Sequence, residues 1–202
     1  MYLTKLVFPV TRESLMLLGD MQAMHALVLR AFTPDTNRSL AGILIRRENV
    51  ARNAKDVTVI MQSIAQPDWD KCPLPAGTSH STVEQNFSSF KTGDAYRFRL
   101  KANPTRRDSA THALNGIGGE EQQQQWLDRK SEMHGFAVVD CMVVDQGMEY
   151  GAGRGDRKLA FRSVIYEGLL HVTDAEKFRK AVAGGIGRGK AFGFGLLSLA
   201  RT

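Results

Sequence analysis

The hydrophobic period along this chain changes in the same order twice, and few folds satisfy that order. Residues 2–10 (YLTKLVFPV) read as a strand. After the polar break TRES, Leu15, Leu18, Met21 or Gln22, His25, Val28, Leu29 and Phe32 recur at three and four spacings, which predicts one helix over 14–32 closed by Pro34. Two strands, 42–47 and 56–63, follow around a polar turn. Residues 66–93 are rich in Pro, Ser, Thr, Asp and Gly and read mostly as loop, with a short helix near 83–90 and a weak last strand. The second round opens at 96–101, where Tyr96, Phe98 and Leu100 alternate with Arg97, Arg99 and Lys101, so that one face is core and the other cationic. A helix over 120–133, strands over 136–144 and 159–170, a helix over 174–183 and a strand over 192–199 complete it. Thr173 and Glu176 form a T-x-x-E capping box at the start of that last helix. Strand, helix, strand, strand, helix, strand, given twice, predicts an α+β chain of two tandem ferredoxin-like (βαββαβ, RRM-like) domains, 1–92 and 93–202.

The length of 202 residues, with 43% apolar and 24% charged residues, suits two such domains and an ordinary soluble globular protein. No apolar run approaches the roughly 18 residues that a membrane span requires, and Lys5 and Pro9 interrupt the start, unlike a signal peptide. The expectation is a cytoplasmic protein with no membrane partner. Cys72 and Cys141 stand 69 positions apart, too few and too distant for a disulfide framework or a zinc knuckle. The formal charge of +6 is unevenly placed: residues 1–90 hold nine Lys/Arg against eight Asp/Glu, and 91–202 hold eighteen against thirteen. A basic second half with clusters at 97–107, 154–162 and 177–190 suits a polyanionic partner, with a merely solvated basic face as the alternative.

The densest local signal is 184–195, where Gly184, Gly185, Gly187, Gly189, Gly193 and Gly195 crowd between a helix and a strand. Glycine serves where backbone must come close to a ligand or take positive φ, and successive amides in such a loop form a concavity for anions. Gly185, Gly187, Arg188, Gly189 and Lys190 are therefore candidate phosphate contacts, with a turn that holds no ligand as the alternative. A nucleotide-binding P-loop fits poorly, because Ala191 stands where Ser or Thr would hold magnesium and the order is helix, loop, strand. Of the five histidines, His80, His112, His134 and His171 fall in loops or at element ends, whereas His25 lies within the first helix. Metal-ligand spacing is missing: there is no H-x-x-x-H and no C-x-x-C, and Asp68 with Asp70 is the only close Asp pair, so neither metal nor cofactor is expected. RNA cleavage needs neither, since the 2′-hydroxyl is a built-in nucleophile that one histidine and a few cations can serve.

These segments together resemble the CasE family of CRISPR-associated endoribonucleases, which process precursor CRISPR RNA. The resemblance rests on MYLTKLVF at the start, Met24 and His25, YRFRLKANPTRR at 96–107, QWLDRK at 125–130, VIYEGLLHVTDAEKF at 164–178 and GGIGRGKAFGFGLLSLA at 184–200. It implies a metal-independent cut at the 3′ base of the CRISPR repeat hairpin, a 2′,3′-cyclic phosphate end, and retention of the mature CRISPR RNA alongside other Cascade subunits. It makes His25 the leading catalytic candidate and places Lys158 near the scissile phosphate. The family's Tyr three positions before the histidine is Gln22 here, an amide able to donate to phosphate or ribose. Arg154, Arg157 and Arg162 are expected to track the hairpin, Arg97 and Arg99 to contact backbone phosphates, and Lys101, Arg106 and Arg107 are further RNA-binding candidates. The alternative of another class is an RNA-binding scaffold of the same complex with weak or no catalysis.

Overall fold

A computed structural model describes residues 1–32, 42–48, 53–152 and 158–202, the side chains of Ala152 and Lys158 excepted. They fall into two units: Met1–Asn86 with Ala191–Gly193, and Phe87–Lys190 with Phe194–Thr202.

The first unit runs β1 (Tyr2–Pro9), α1 (Arg12–Gly19), α2 (Met21–Val28), β2 (Leu44–Arg47), β3 (Asp56–Ser63) and β4 (Ser79–Glu84). Its sheet has the order β2-β3-β1-β4 with every neighbour antiparallel, the ferredoxin-like arrangement. Thr4, Leu6 and Phe8 of β1 and Val57, Val59 and Met61 of β3 point to one buried face. Leu18, Met24 and Val28 of the helices close that core. The single helix expected over 14–32 is instead two. Asp20 takes an extended conformation (φ −118°, ψ 100°), and its carboxylate accepts from the amides of Gln22 and Ala23. An aspartate is worth more as a cap than inside a helix, and the preceding Gly19 makes the break inexpensive. The short helix expected near 83–90 is also corrected. Val83 and Glu84 lie in β4, because the open edge of β1 pairs with them, and only a 3-10 turn follows at Phe87–Ser89.

The second unit contains β5 (Ala95–Ala102), the small hairpin β6 (Thr105–Arg107) and β7 (Leu114–Gly116), α3 (Glu120–Met133), β8 (Phe136–Ala152), β9 (Lys158–Val172), α4 (Ala175–Gly184) and β10 (Leu197–Arg201). The order β10-β5-β9-β8 is antiparallel throughout and again ferredoxin-like. Phe98, Leu100, Tyr166 and Leu170 of the sheet meet Trp126 and Leu127 of α3 and Phe178 of α4 in its core. Strands β8 and β9 outrun their expected ends because they pair with each other as far as Ala152 and Lys158. Two register shifts, at Val138/Asp140 and Asp145/Gly147, bulge β8. The cap of α4 is Asp174, whose carboxylate accepts from the amides of Glu176 and Lys177, in place of the Thr173 capping box. The last strand begins only at Leu197, since Gly193 and Gly195 at φ +87° and +90° cannot continue a strand.

Candidate functional site

In the first unit, Asp20 starts α2 and so decides which residues share its outer turn. Met24 and Val28 are driven into the core, which leaves Gln22 exposed and His25 half-buried three positions later on a neighbouring face. The unit also includes Ala191–Gly193 of the glycine-rich segment. There, a Cβ on Gly193 would lie 2.9 Å from Cε of Met21, the first residue of α2. Glycine at this point is what allows backbone to approach the turn that precedes His25.

In the second unit, the alternating cations of β5 have three different fates. Arg97 is exposed. Arg99 is half-buried and donates from Nε to Glu167 across the strand pair. Lys101 departs from the expected cationic face: it is 5% exposed, its Nζ lies 2.7 Å from Oε1 of Glu149, and it stands 5.2 Å over the Phe194 ring. A cation at this depth is tolerated because the carboxylate and the ring face replace its hydration. Arg106 and Arg107 are exposed on β6. Arg162 is engaged by Asp145, with Nε 2.9 Å from Oδ2. Asp145 also accepts from Nε2 of the buried Gln123 of α3 at 2.6 Å and from the amide of Gly147 at 2.8 Å. Burial raises the Asp145 pKa, but the Arg162, Gly147 and Gln123 donors outweigh it, so the carboxyl titrates below its ordinary 3.8. Arg154 and Arg157 lie outside the described residues, as does the side chain of Lys158, whose backbone opens β9 opposite Ala152.

The glycine-rich segment follows α4. Gly185, Gly187 and Gly189 have φ of +74°, +87° and +81°. A Cβ would meet the Trp126 ring at 3.2 Å from Gly187 and the Phe194 ring at 3.0 Å from Gly189. Packing against aromatic rings thus accounts for these glycines in addition to any anion. Arg188 is exposed at a bridge to Asn103, and burial lowers the pKa of half-buried Lys190. Burial also pushes the Cys72 thiol up to about 11 and the Cys141 thiol up to about 12, so neither is a thiolate at neutral pH. Among the described residues, no three His, Cys, Asp or Glu side chains gather as metal ligands, and no helix is long and apolar enough to cross a membrane.

Asp145 and Glu149, the acids that decide the state of Arg162 and Lys101, carry no mark in the sequence that singles them out. Gly147 inside an otherwise strand-like run is the available signal, since such a glycine marks a bulge. The pairing partners themselves are not written locally.

A family model described as CRISPR associated protein matches residues 1–201. The CRISPR-associated endoribonuclease Cse3 of Thermus thermophilus is 30% identical over 213 residues, covering 99% of this chain and 100% of the relative. The Cascade subunit CasE of Escherichia coli K12 is 31% identical over 141 residues, 63% of this chain and 70% of that protein. A solved structure of CRISPR endoribonuclease Cse3 bound to a 19-nucleotide RNA superposes with a TM-score of 0.86 at 29% identity, over 99% of this chain and 100% of that one. Two ferredoxin-like sheets and an end-to-end match together show that the chain belongs to the CasE family of CRISPR-associated endoribonucleases.

Proposed function

We propose that this protein binds the CRISPR repeat hairpin and cleaves precursor CRISPR RNA at the hairpin's 3′ base without a metal. The first domain, residues 1–92, supplies His25 and Gln22; the second, 93–202, supplies Lys158 and the RNA-binding cations. The nucleophile is the ribose 2′-oxygen, which attacks the adjacent phosphorus while the 5′-oxygen departs, leaving a 2′,3′-cyclic phosphate. His25 moves the proton, Gln22 donates to phosphate or ribose, and Lys158 offsets the charge on the phosphorane. The observation that carries this reading is His25, half-buried on a helix fixed by the Asp20 cap, in a chain that matches an RNA-bound endoribonuclease along its whole length. The product stays bound, and the mature CRISPR RNA is shared with other Cascade subunits, as the name of the Escherichia coli relative suggests.

The test is incubation of the protein with repeat RNA in EDTA. A single defined cut is expected, and it should vanish when the ribose just upstream carries no 2′-hydroxyl. Replacement His25→Ala should lower the cleavage rate by about 10²-fold to 10⁴-fold, the usual contribution of a general acid or base, with binding held within a few fold. A cut that requires a divalent metal, or that survives the 2′-deoxy substitution, overturns the mechanism. Gln22 in place of the family tyrosine favours a second reading, a binding scaffold with weak or no catalysis. Tight hairpin binding with no cut in the wild-type protein would establish it.

A further inference from the structure

Among the described residues, the outer part of the β8–β9 arm, beyond Gly147, has its side chains covered unequally on the two sides. On the side away from α3, Glu149 pairs with the buried Lys101 at 2.7 Å, and its cross-strand neighbour Phe161 packs on Phe194 with ring centroids 5.6 Å apart. On the α3 side, the bulge at Asp145/Gly147 sets Met148 opposite Arg162 and Tyr150 opposite Ala160. Directly paired residues point to the same side of a sheet, so Met148 and Tyr150 share the side that carries Arg162 and Asp145. Tyr150 is 70% exposed and Met148 43%.

The neighbours of this bare strip are cationic. A side chain on Gly116 of β7 would meet Cβ of Arg162 at 3.1 Å, so the β6–β7 hairpin, with exposed Arg106 and Arg107, borders the same side. Among the described residues, Asp145 already engages the Arg162 charge, and the two β6 arginines remain exposed as an attraction for a polyanion. An exposed ring and a thioether on a braced strand, bordered by arginines, form the combination that takes the π-face of a base beside its phosphate chain. Bracing matters, because a ring already held in place loses little freedom on stacking.

We propose that Tyr150, with Met148 beside it, is a stacking platform for an unpaired nucleobase of the bound RNA; this rests on the RNA-binding reading above. The contact uses the ring face and not the phenol oxygen. It contributes affinity and seats an unpaired base, while the cut itself remains with the groups already described.

The experiment compares Tyr150→Ala and Tyr150→Phe in the full chain, on repeat RNA carrying 2-aminopurine at each unpaired position in turn. The wild-type protein and Tyr150→Phe should quench one position equally. Tyr150→Ala should lose that quenching and bind about ten-fold more weakly, within the range measured for base stacking on aromatic residues. The salt dependence of binding should stay unchanged, since every phosphate keeps its cation. Tyr150→Ala that binds and quenches as the wild type does would overturn the platform, including the case in which it fails only to join other subunits. A wild-type protein that does not bind repeat RNA at all sinks the RNA-binding reading instead, so the two failures are distinguishable.

Discussion

A lysine on a strand face that alternates with aromatic and leucine side chains looks solvent-exposed from sequence, yet Lys101 is buried between a carboxylate and a ring. Removing it strands Glu149 in a partly desolvated position. Lys101→Ala should therefore cost about 2 kcal/mol in denaturant unfolding, an order-of-magnitude figure for breaking a mostly buried pair. It should leave the salt dependence of RNA binding unchanged, whereas removal of a phosphate-contacting lysine would lower that slope by about one. His134, at the C-terminus of α3, shows the converse. Burial, aided by Lys130 and Lys190, lowers its pKa from 6.5, so the folded protein resists its protonation. The unfolded chain then binds more protons as pH falls through 6.5, and stability declines in that window. Replacement His134→Gln should flatten this part of the stability–pH curve, read by thermal melting at several pH values. The helical setting of His25 and Gln22 is legible, because hydrophobic spacing acts locally, while the roles proposed for them come from the family resemblance; the partners of Lys101 are not legible, because they come from other elements.

At the scale of elements, Asp145 ties three parts of the second unit together. It joins α3 through Gln123, β9 through Arg162, and its own bulge through the Gly147 amide. The bulge decides which side of the arm Met148 and Tyr150 occupy, since a shift of one residue inverts every later side chain. Asp145→Asn should destabilise by about 1–3 kcal/mol, the usual cost of losing hydrogen bonds to a charged group. Its carboxyl titrates below 3.8 in the fold, so the stability it contributes is present above that value and is lost as pH falls beneath it. The acid limb of the wild-type curve should therefore be shallower in Asp145→Asn. The glycine-rich segment makes a second element-scale case. Gly193 has φ +87°, so Gly193→Ala strains the backbone, while the Met21 methyl, at the end of a flexible side chain, moves aside. A loss of about 1–2 kcal/mol in thermal or denaturant unfolding is expected.

Over the whole molecule, the count of 27 Lys and Arg overstates the cations a polyanion can find, because Arg99, Lys101 and Arg162 are already paired with acids. Arg97, Arg106 and Arg107 are exposed. Replacing all three with Ala should lower the slope of log affinity against log salt by about one for each phosphate that one of these arginines neutralises, measured by titration at several salt concentrations. The same triple replacement of Arg99, Lys101 and Arg162 should change stability more than slope. Most strands and helices, the two ferredoxin-like units and the helical setting of His25 are legible in the sequence, because hydrophobic period and caps act over a few neighbouring residues; the break at Asp20 and the pairing of Val83 and Glu84 in β4 are not. The sequence also held the features that carry the family resemblance. Which arginines and lysines are neutralised, how the glycines pack against Trp126 and Phe194, and which side of the β8–β9 arm Tyr150 faces are set by the folded chain alone. Those outcomes depend on groups dozens of residues apart meeting across strands, and pairing of that kind leaves no period in the chain.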